Sequence, residues 1–466
     1  HPKTGLPGRP AVGTTFLLSL KPLTRFPLVD TEVSPGGATP DATLTGTPAP
    51  PSPLAAPSRA PSFPVRQGWA RAPADGGAME AEVPVLPGTN ATEPAAFAVE
   101  LARGREAFLK LRPAWDRALL TGPDPAPALE HDFLRLWLES FAAGAEPVTV
   151  VVRRSGLVQA ALSLLIDDER ALGGVPLRVA RAAGNSHATR GGLLLGPEGP
   201  SAVGALVDAL VGLDWDELVL RDLPREGGSV DLLEVAFARH GLTVVWGSTM
   251  QSPFVPLPME RAELERRLDA KFRQNLRRRR RRLESHGTVL LETLRGLEGL
   301  DEALEEAFEI ESSGWKGQAE TSIRSRPETV HFYARWARQL AREGRLRLSF
   351  LRSGDERVAF HFAHVTRGRY HLPKCGYRES WATESPGQLL AWEVLGACID
   401  EHLETFEFLG HAMDWKRDWT PFVRPHVTVH VHRPTWRGRW SRLAGHTLRP
   451  WAASTLRALG ARRRQT

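Results

Sequence analysis

One order of elements recurs along this 466-residue chain, and it limits the possible folds more than any other feature. In the first pass, the Val/Leu-rich runs Val148 to Arg153, Leu157 to Ile166 and Leu177 to Ala182 are broken by Ser155-Gly156 and Gly173-Gly174, which predicts a meander of antiparallel strands. A loop from Gly184 to Gly192 leads to a helix over Ser201 to Leu213, a short apolar strand from Glu217 to Leu220, a helix over Val230 to His240 and a strand from Leu242 to Trp246. The second pass runs Leu346 to Leu351, Arg357 to Thr366 and Arg369 to Tyr377, joined at Ser353-Gly354-Asp355 and Arg367-Gly368. A helix over Ser385 to Leu403, a short strand over Thr405 to Leu409 and an alternating strand over His426 to His432 follow. Helices over 101–121, with Phe108, Leu111, Trp115 and Leu119 at helical spacing, and over 129–141 precede the first meander. The prediction is a mixed α/β architecture, two α+β sheets in tandem.

At 42% hydrophobic and 24% charged residues, the chain can bury a sizeable core and fits two domains. Two cysteines, Cys375 and Cys398, are too few for a disulfide framework, so a reducing compartment is the simpler expectation. No run approaches the roughly 18 apolar residues of a membrane span; Thr14 to Leu20 is short and stops at Lys21. The net charge of +6 is concentrated, because Arg437 to Thr466 holds eight arginines and no acid, leaving −2 for the rest. A basic tail, more than a basic protein, sets the isoelectric point.

Residues 1–78 are rich in Pro, Gly, Ala, Thr and Ser and lack an apolar period, so they are expected to be disordered. The first methionine is Met79, and the expectation is a natural start there, with the preceding stretch a non-native extension. The remaining divisions are 79–258, 259–435 and a Trp/Arg tail over 436–466. That tail, with Trp436, Trp440 and Trp451 among its arginines, suits either a membrane-surface or polyanion contact or docking on the second domain.

Four motifs follow one another in the second half. An arginine-rich helix carries Lys271, Phe272, Arg273, Leu276, the run Arg277 to Arg282, Leu283, Glu284 and Gly287; Trp315-Lys316-Gly317, Ser385-Pro386-Gly387 and Lys416 with Trp419 come after it. In this order they resemble the CelD-like, cellulose-biosynthesis-associated branch of the bacterial GNAT (acetyl-CoA-dependent N-acetyltransferase) superfamily, across about 101–433. Trp415 stands where that family commonly has Tyr. The resemblance implies two tandem GNAT-like halves, as in Fem-type transferases, an acetyl-CoA or other acyl-CoA donor and no metal. It also implies a cytoplasmic enzyme, peripheral to the inner face of the membrane if the tail binds lipid, that acylates an amine or hydroxyl acceptor in exopolysaccharide or envelope metabolism. A Fem-like aminoacyl-tRNA-dependent transferase and a catalytically inactive polyanion-binding scaffold stand as alternatives.

Ser385 at an N-cap, Pro386 at the first helical position and Gly387 beside it describe a helix start suited to phosphate. Together with Gly376 and Gln388 they are the expected CoA-binding residues. The thioester is expected where Arg369 to Tyr377 splays from Thr405 to Leu409. His361, His364, Lys374, Tyr377, Asp414 and Lys416 are the acid/base candidates there, with His361 and His364 on opposite sheet faces. Arg277, Arg281, Trp315 and Lys316 are candidates for binding the acceptor. Six consecutive arginines cover every face of a helix, so Arg279 or Arg280 must lie beside the stripe Leu264, Leu268, Phe272, Leu276 and Leu283; a solvated helix with ion pairs between the halves and an anion cradle are both open. Nucleic acid fits less well, since Phe272 is the one aromatic in the run. His426, His430 and His432 share a face with Thr428, but the sequence nearby offers no carboxylate or Cys to complete a metal site, and none is expected.

Overall fold

A computed structural model describes residues 96–123, 126–188, 190–313 and 322–448. The predicted N-terminal disorder, the Met79 start, Trp315, Lys316 and the tail beyond Leu448 fall outside them. Strand β1 (Ala98–Arg103) leads into helices α1 (Gly104–Lys110), α2 (Arg112–Thr121) and α3 (His131–Phe141). The helix expected from residue 101 therefore begins later, because Leu101 to Arg103 pair in register with Thr149 and its neighbours on β2. The first meander is β2 (Val148–Arg154), β3 (Leu157–Arg170) and β4 (Pro176–Ala182), with β5 (Leu194–Leu195) beside β3. Helix α4 (Gly199–Val211), β6 (Glu217–Pro224), α5 (Ser229–Arg239) and β7 (Thr243–Pro256) complete the first pass.

The arginine segment is two helices, α6 (Arg261–Arg267) and α7 (Ala270–Glu284), and not one stripe. The break falls at Asp269, whose carboxylate accepts from the backbone N–H groups of Lys271 and Phe272 and caps α7. Then come β8 (Val289–Leu294), α8 (Leu300–Ser312) and α9 (Pro327–Arg342), followed by β9 (Leu346–Ser353), β10 (Glu356–Thr366) and β11 (Arg369–Tyr377). Helix α10 (Pro386–Asp400), β12 (Thr405–Glu407), α11 (Asp414–Arg417), β13 (Val423–His432) and α12 (Trp436–Leu443) close the described chain.

The strands form one mixed sheet ordered β1-β2-β3-β4-β6-β13-β7-β12-β11-β10-β9-β8, with β5 off the path. The two passes thus share strands. Strand β13, from the end of the second pass, stands between β6 and β7 of the first. In turn β7 runs on to pair its residues 254–256 with β12. This double duty explains why β7 extends ten residues past the expected Trp246, to Pro256.

Helices seal the joint. Along α9, Phe332, Tyr333, Trp336, Ala337 and Leu340 recur at helical spacing and are all buried. Phe133 of α3 meets Phe332 and Trp336 edge-on, with centroids 5.3 and 5.0 Å apart. A first-pass helix and a second-pass helix therefore share one core, in which truncating an aromatic to Ala costs about 3–5 kcal/mol.

The described part of the tail docks on both passes: Trp440 Nε1 donates to Leu172 O of the first at 2.8 Å, and the His446 ring packs on His430 of β13, from the second, at 4.7 Å. Among the described residues, no helix is long and apolar enough to cross a membrane.

Candidate active site

Strands β11 and β12 run parallel for three pairs only, Arg369 with Thr405, Tyr370 with Phe406 and His371 with Glu407. Strand β11 then continues to Tyr377 without β12 beside it, so the predicted splay is present. A bulge sits at the parting. The register with β10 shifts between Phe362, opposite Lys374, and His364, opposite His371. The extra residue falls at Leu372-Pro373, where proline brings no N–H to a ladder, and it turns Lys374 to the same face as His371.

That face carries polar groups under α8 and α9. Lys374 Nζ lies 3.7 Å from Glu311, whose carboxylate is fully buried and accepts from Ile323 N at 2.7 Å. Tyr333 lies beneath Lys374, with Nζ 5.5 Å from its ring centroid, and its hydroxyl meets His187 Nδ1 of the first pass at 3.2 Å. Burial, then the charges of Lys374 and Arg326, depress His187 to about 3, so it is neutral. At the last strand pair, the buried Glu407 receives a two-pronged contact from Arg424, Nη2 to Oε1 at 2.8 Å and Nε to Oε2 at 3.0 Å. Burial pushes this carboxyl up, but the hydrogen bonds and charge of Arg424, with His371 and Arg190, outweigh it and hold it below the usual range. Glu311, Glu407, Arg424 and His371 were missed in the sequence because their partners are distant along the chain.

The opposite face meets α10. Tyr377 lies half exposed against the helix start; a side chain on Gly387 would touch its ring at 3.5 Å. Burial raises the Tyr377 phenol, with Glu379 adding to it. Ser385 precedes α10 in the left-handed conformation (φ 49°, ψ 54°), and its side chain makes no capping bond, contrary to the predicted N-cap role. Backbone strain in place of a hydroxyl cap sets this helix entry. Gln388 is engaged within the fold, accepting from Trp419 Nε1 at 2.7 Å and donating to Trp415 O at 3.3 Å. Gly376 also has a packing role, since a Cβ there would stand 2.8 Å from Phe360 Cε1 and 3.2 Å from Glu311 Cα.

His361 and His364 do lie on opposite faces: His361 is near Phe406, and His364 is beside Trp336 and stacked on His371 at 5.1 Å. Both are buried, so neither opens to the parting. Burial alone depresses His361 to about 3. Asp414 is exposed and Lys416 buried, its Nζ donating to Leu409 O at 2.6 Å and His411 O at 3.0 Å. Leu409 and Gly410 adopt positive φ, which turns the chain leaving β12 around this buried ammonium.

The arginine helix flanks α10. Arg279 and Arg280 are the half-buried members, as the stripe requires. Arg280 pairs with Glu284 at 2.8 Å and with Glu393 on α10, so its ion pairs lie within the second pass and not between the halves. Arg277 pairs with Glu265, while Arg281 is exposed.

The first pass has a matching parting. Strands β4 and β6 pair over Val179 to Arg181 and then separate. There the chain itself fills the edge: Gly191 N donates to Asp222 O at 3.1 Å, and a Cβ on Gly191 would stand 2.3 Å from Arg221 O. The cavity left is lined by Trp115, Leu129, Ala182, Ala188 and other mainly apolar residues, with Arg221 at its side.

No curated protein matches the chain in sequence. Among solved structures, it is similar to the C-terminal DUF2156 domain of a putative lysylphosphatidylglycerol synthetase from Agrobacterium fabrum (11% identity, 73% of this chain and 97% of that one, TM-score 0.43). It is also similar to FemX (11%, 63% and 90%, 0.41) and to a tandem GNAT protein from the clavulanic acid biosynthesis pathway (14%, 72% and 100%, 0.40). Every one of these TM-scores is below 0.5; separately, residues 270–417, which hold the bulge, the parting and the start of α10, match the model of the acetyltransferase (GNAT) domain.

Proposed function

We propose that the second pass is an acyl-CoA-dependent acyltransferase, of the CelD-like branch that its four motifs resemble, and that 79–258 and 259–435 are two GNAT-like repeats with exchanged strands. The observation that carries this reading is the separation of β11 from β12 directly after a bulge and beside the start of α10. Beyond His371, β12 no longer runs beside β11, and an edge that leaves its parallel neighbour in this way suits the approach of a pantetheine arm and a backbone N–H donor to a thioester oxygen. The start of α10 offers a helix N-terminus to the pyrophosphate, with Arg279 and Arg282 near enough to act on Asp418 and Glu384 beside it.

In this reading the acceptor amine or hydroxyl enters on the Lys374 face, gives its proton to water and attacks the thioester carbonyl. The C–S bond then breaks, and Tyr377, kept protonated by its raised pKa, donates its proton to the departing thiolate and takes one back from water, leaving the acylated acceptor and free CoA thiol. Ser385, Pro386, Gly387 and Gln388 frame the donor side, while Gly376 and Glu311 set the position of Lys374. The family's link to cellulose synthesis supports a saccharide or amine acceptor in exopolysaccharide metabolism. The closed edge of the first pass supports a supporting role for that half.

Calorimetry with acetyl-CoA tests the reading. Saturable binding that is weakened by a bulky Gly387→Leu replacement supports it, and a flat titration from folded protein would end it. A thiol-release assay over a panel of amines and amino sugars then identifies the acceptor class.

A further inference from the structure

The histidines of β13 have partners that only the fold supplies. His432 faces Glu217 as its direct cross-strand neighbour on β6, and His430 lies two residues away on the same side. Above them the tail folds back after α12, in the turn Ala444–Leu448, and places His446 over both rings at centroid distances of 4.7 Å from His430 and 5.4 Å from His432. One ligand atom each from Glu217, His432 and His446 lie within 4.8 Å of one another.

Two observations point to a ligand and not to a polar cluster that satisfies itself. His432 is 1% exposed, and neither of its ring nitrogens has a hydrogen-bond partner among the described residues. A buried imidazole with both nitrogens unengaged is costly unless something binds it. Beside it, Glu217 is already oriented: His430 Nδ1 meets one carboxylate oxygen at 2.9 Å, and the Ser441 hydroxyl donates to the other. Gly247 makes room for this arrangement, since a Cβ there would stand 3.0 Å from the His430 ring.

We propose that Glu217, His432 and His446 bind one divalent transition-metal ion, Zn2+ foremost, and that the ion fastens the segment after β13 to the sheet. Two imidazoles and a carboxylate form a donor set that suits Zn2+ and disfavours Mg2+ or Ca2+, which take oxygen ligands. His430 orients Glu217 from behind, and the fourth position falls to water. The three ligands lie outside residues 270–417.

Full-length protein, stripped with chelator and dialysed, is titrated with Co2+ and then Zn2+. The expected result is one Co2+ per chain with the visible bands of a four- or five-coordinate nitrogen/oxygen site, displaced by one Zn2+, and a rise in melting temperature with either ion. His446→Ala, in a surface turn, should weaken binding about tenfold or more while circular dichroism stays unchanged, and Glu217→Gln should do likewise. His331→Ala, elsewhere on the surface, should leave binding intact. Absence of a stoichiometric site, or equal binding by the His446→Ala and His331→Ala proteins, would overturn the proposal. The acetyl-CoA titration is read separately, so failure of one assignment leaves the other standing.

Discussion

Lys374 and Glu311 face each other across 3.7 Å, with the carboxylate wholly out of water and the ammonium at the edge of the parting between β11 and β12. The pair joins α8 to the one strand segment that has left its parallel neighbour. A buried carboxylate held this way stiffens the edge on which an acceptor would be aligned.

Replacing Glu311 with Ala should therefore destabilise the protein by about 3–5 kcal/mol, because it removes the acceptor for Ile323 N–H and the counter-charge of Lys374. Glu311→Gln, which retains an acceptor, should cost less. Urea denaturation of the two variants measures the difference, and equal stabilities would show that the acceptor for Ile323 N–H matters little beside the lost charge.

Gly376→Ala should cost about 1–3 kcal/mol, the usual range for overpacking. The added methyl would press on the Phe360 ring at 2.8 Å and on the Glu311 backbone at 3.2 Å. The same change should reduce acetyl-CoA affinity if β11 shifts at the parting. Thermal unfolding and calorimetry on one preparation read both effects.

Removing the guanidinium in Arg424→Met leaves Glu407 buried without its principal partner, at a cost of about 3–5 kcal/mol. Restoring neutrality with Glu407→Gln in the same chain should recover part of that loss. A double-mutant cycle by chemical denaturation checks the coupling, and simple additivity would contradict it.

Acid should destabilise the fold well above the pH at which carboxylates protonate. His187, His361 and His371 titrate at about 3 when folded, against about 6.5 when unfolded. Between those values the unfolded chain binds more protons, so stability falls as pH drops from about 6.5 toward 3, by about 1.4 kcal/mol per pH unit for each histidine. His361→Phe should flatten this slope, as measured by denaturation midpoints from pH 7 to 4.

The meanders were legible in sequence because Val/Leu runs ended by Ser-Gly and Gly-Gly turns depend on local backbone chemistry. The β11 strand was predicted to the residue, and β12 as a short apolar run. Strand exchange was not legible, since the alternation in His426 to His432 states that one face is buried but not which sheet it joins. The bulge escaped for a related reason: Pro373 weakens a strand prediction without revealing that Lys374 changes face. Glu217 stayed hidden from the β13 histidines because 213 residues separate it from His430.

The insertion of β13 between β6 and β7 makes the chain a clasp with its tongue at the far end. A fragment ending near residue 258 would leave β6 and β7 facing each other across a missing partner, and the remainder would carry an orphan edge at both β12 and β13. Neither piece should be soluble alone, yet the two produced together should reassemble. During synthesis, the first pass must wait for Val423–His432 to leave the ribosome, more than 160 residues after β7 ends at Pro256, before its sheet can close.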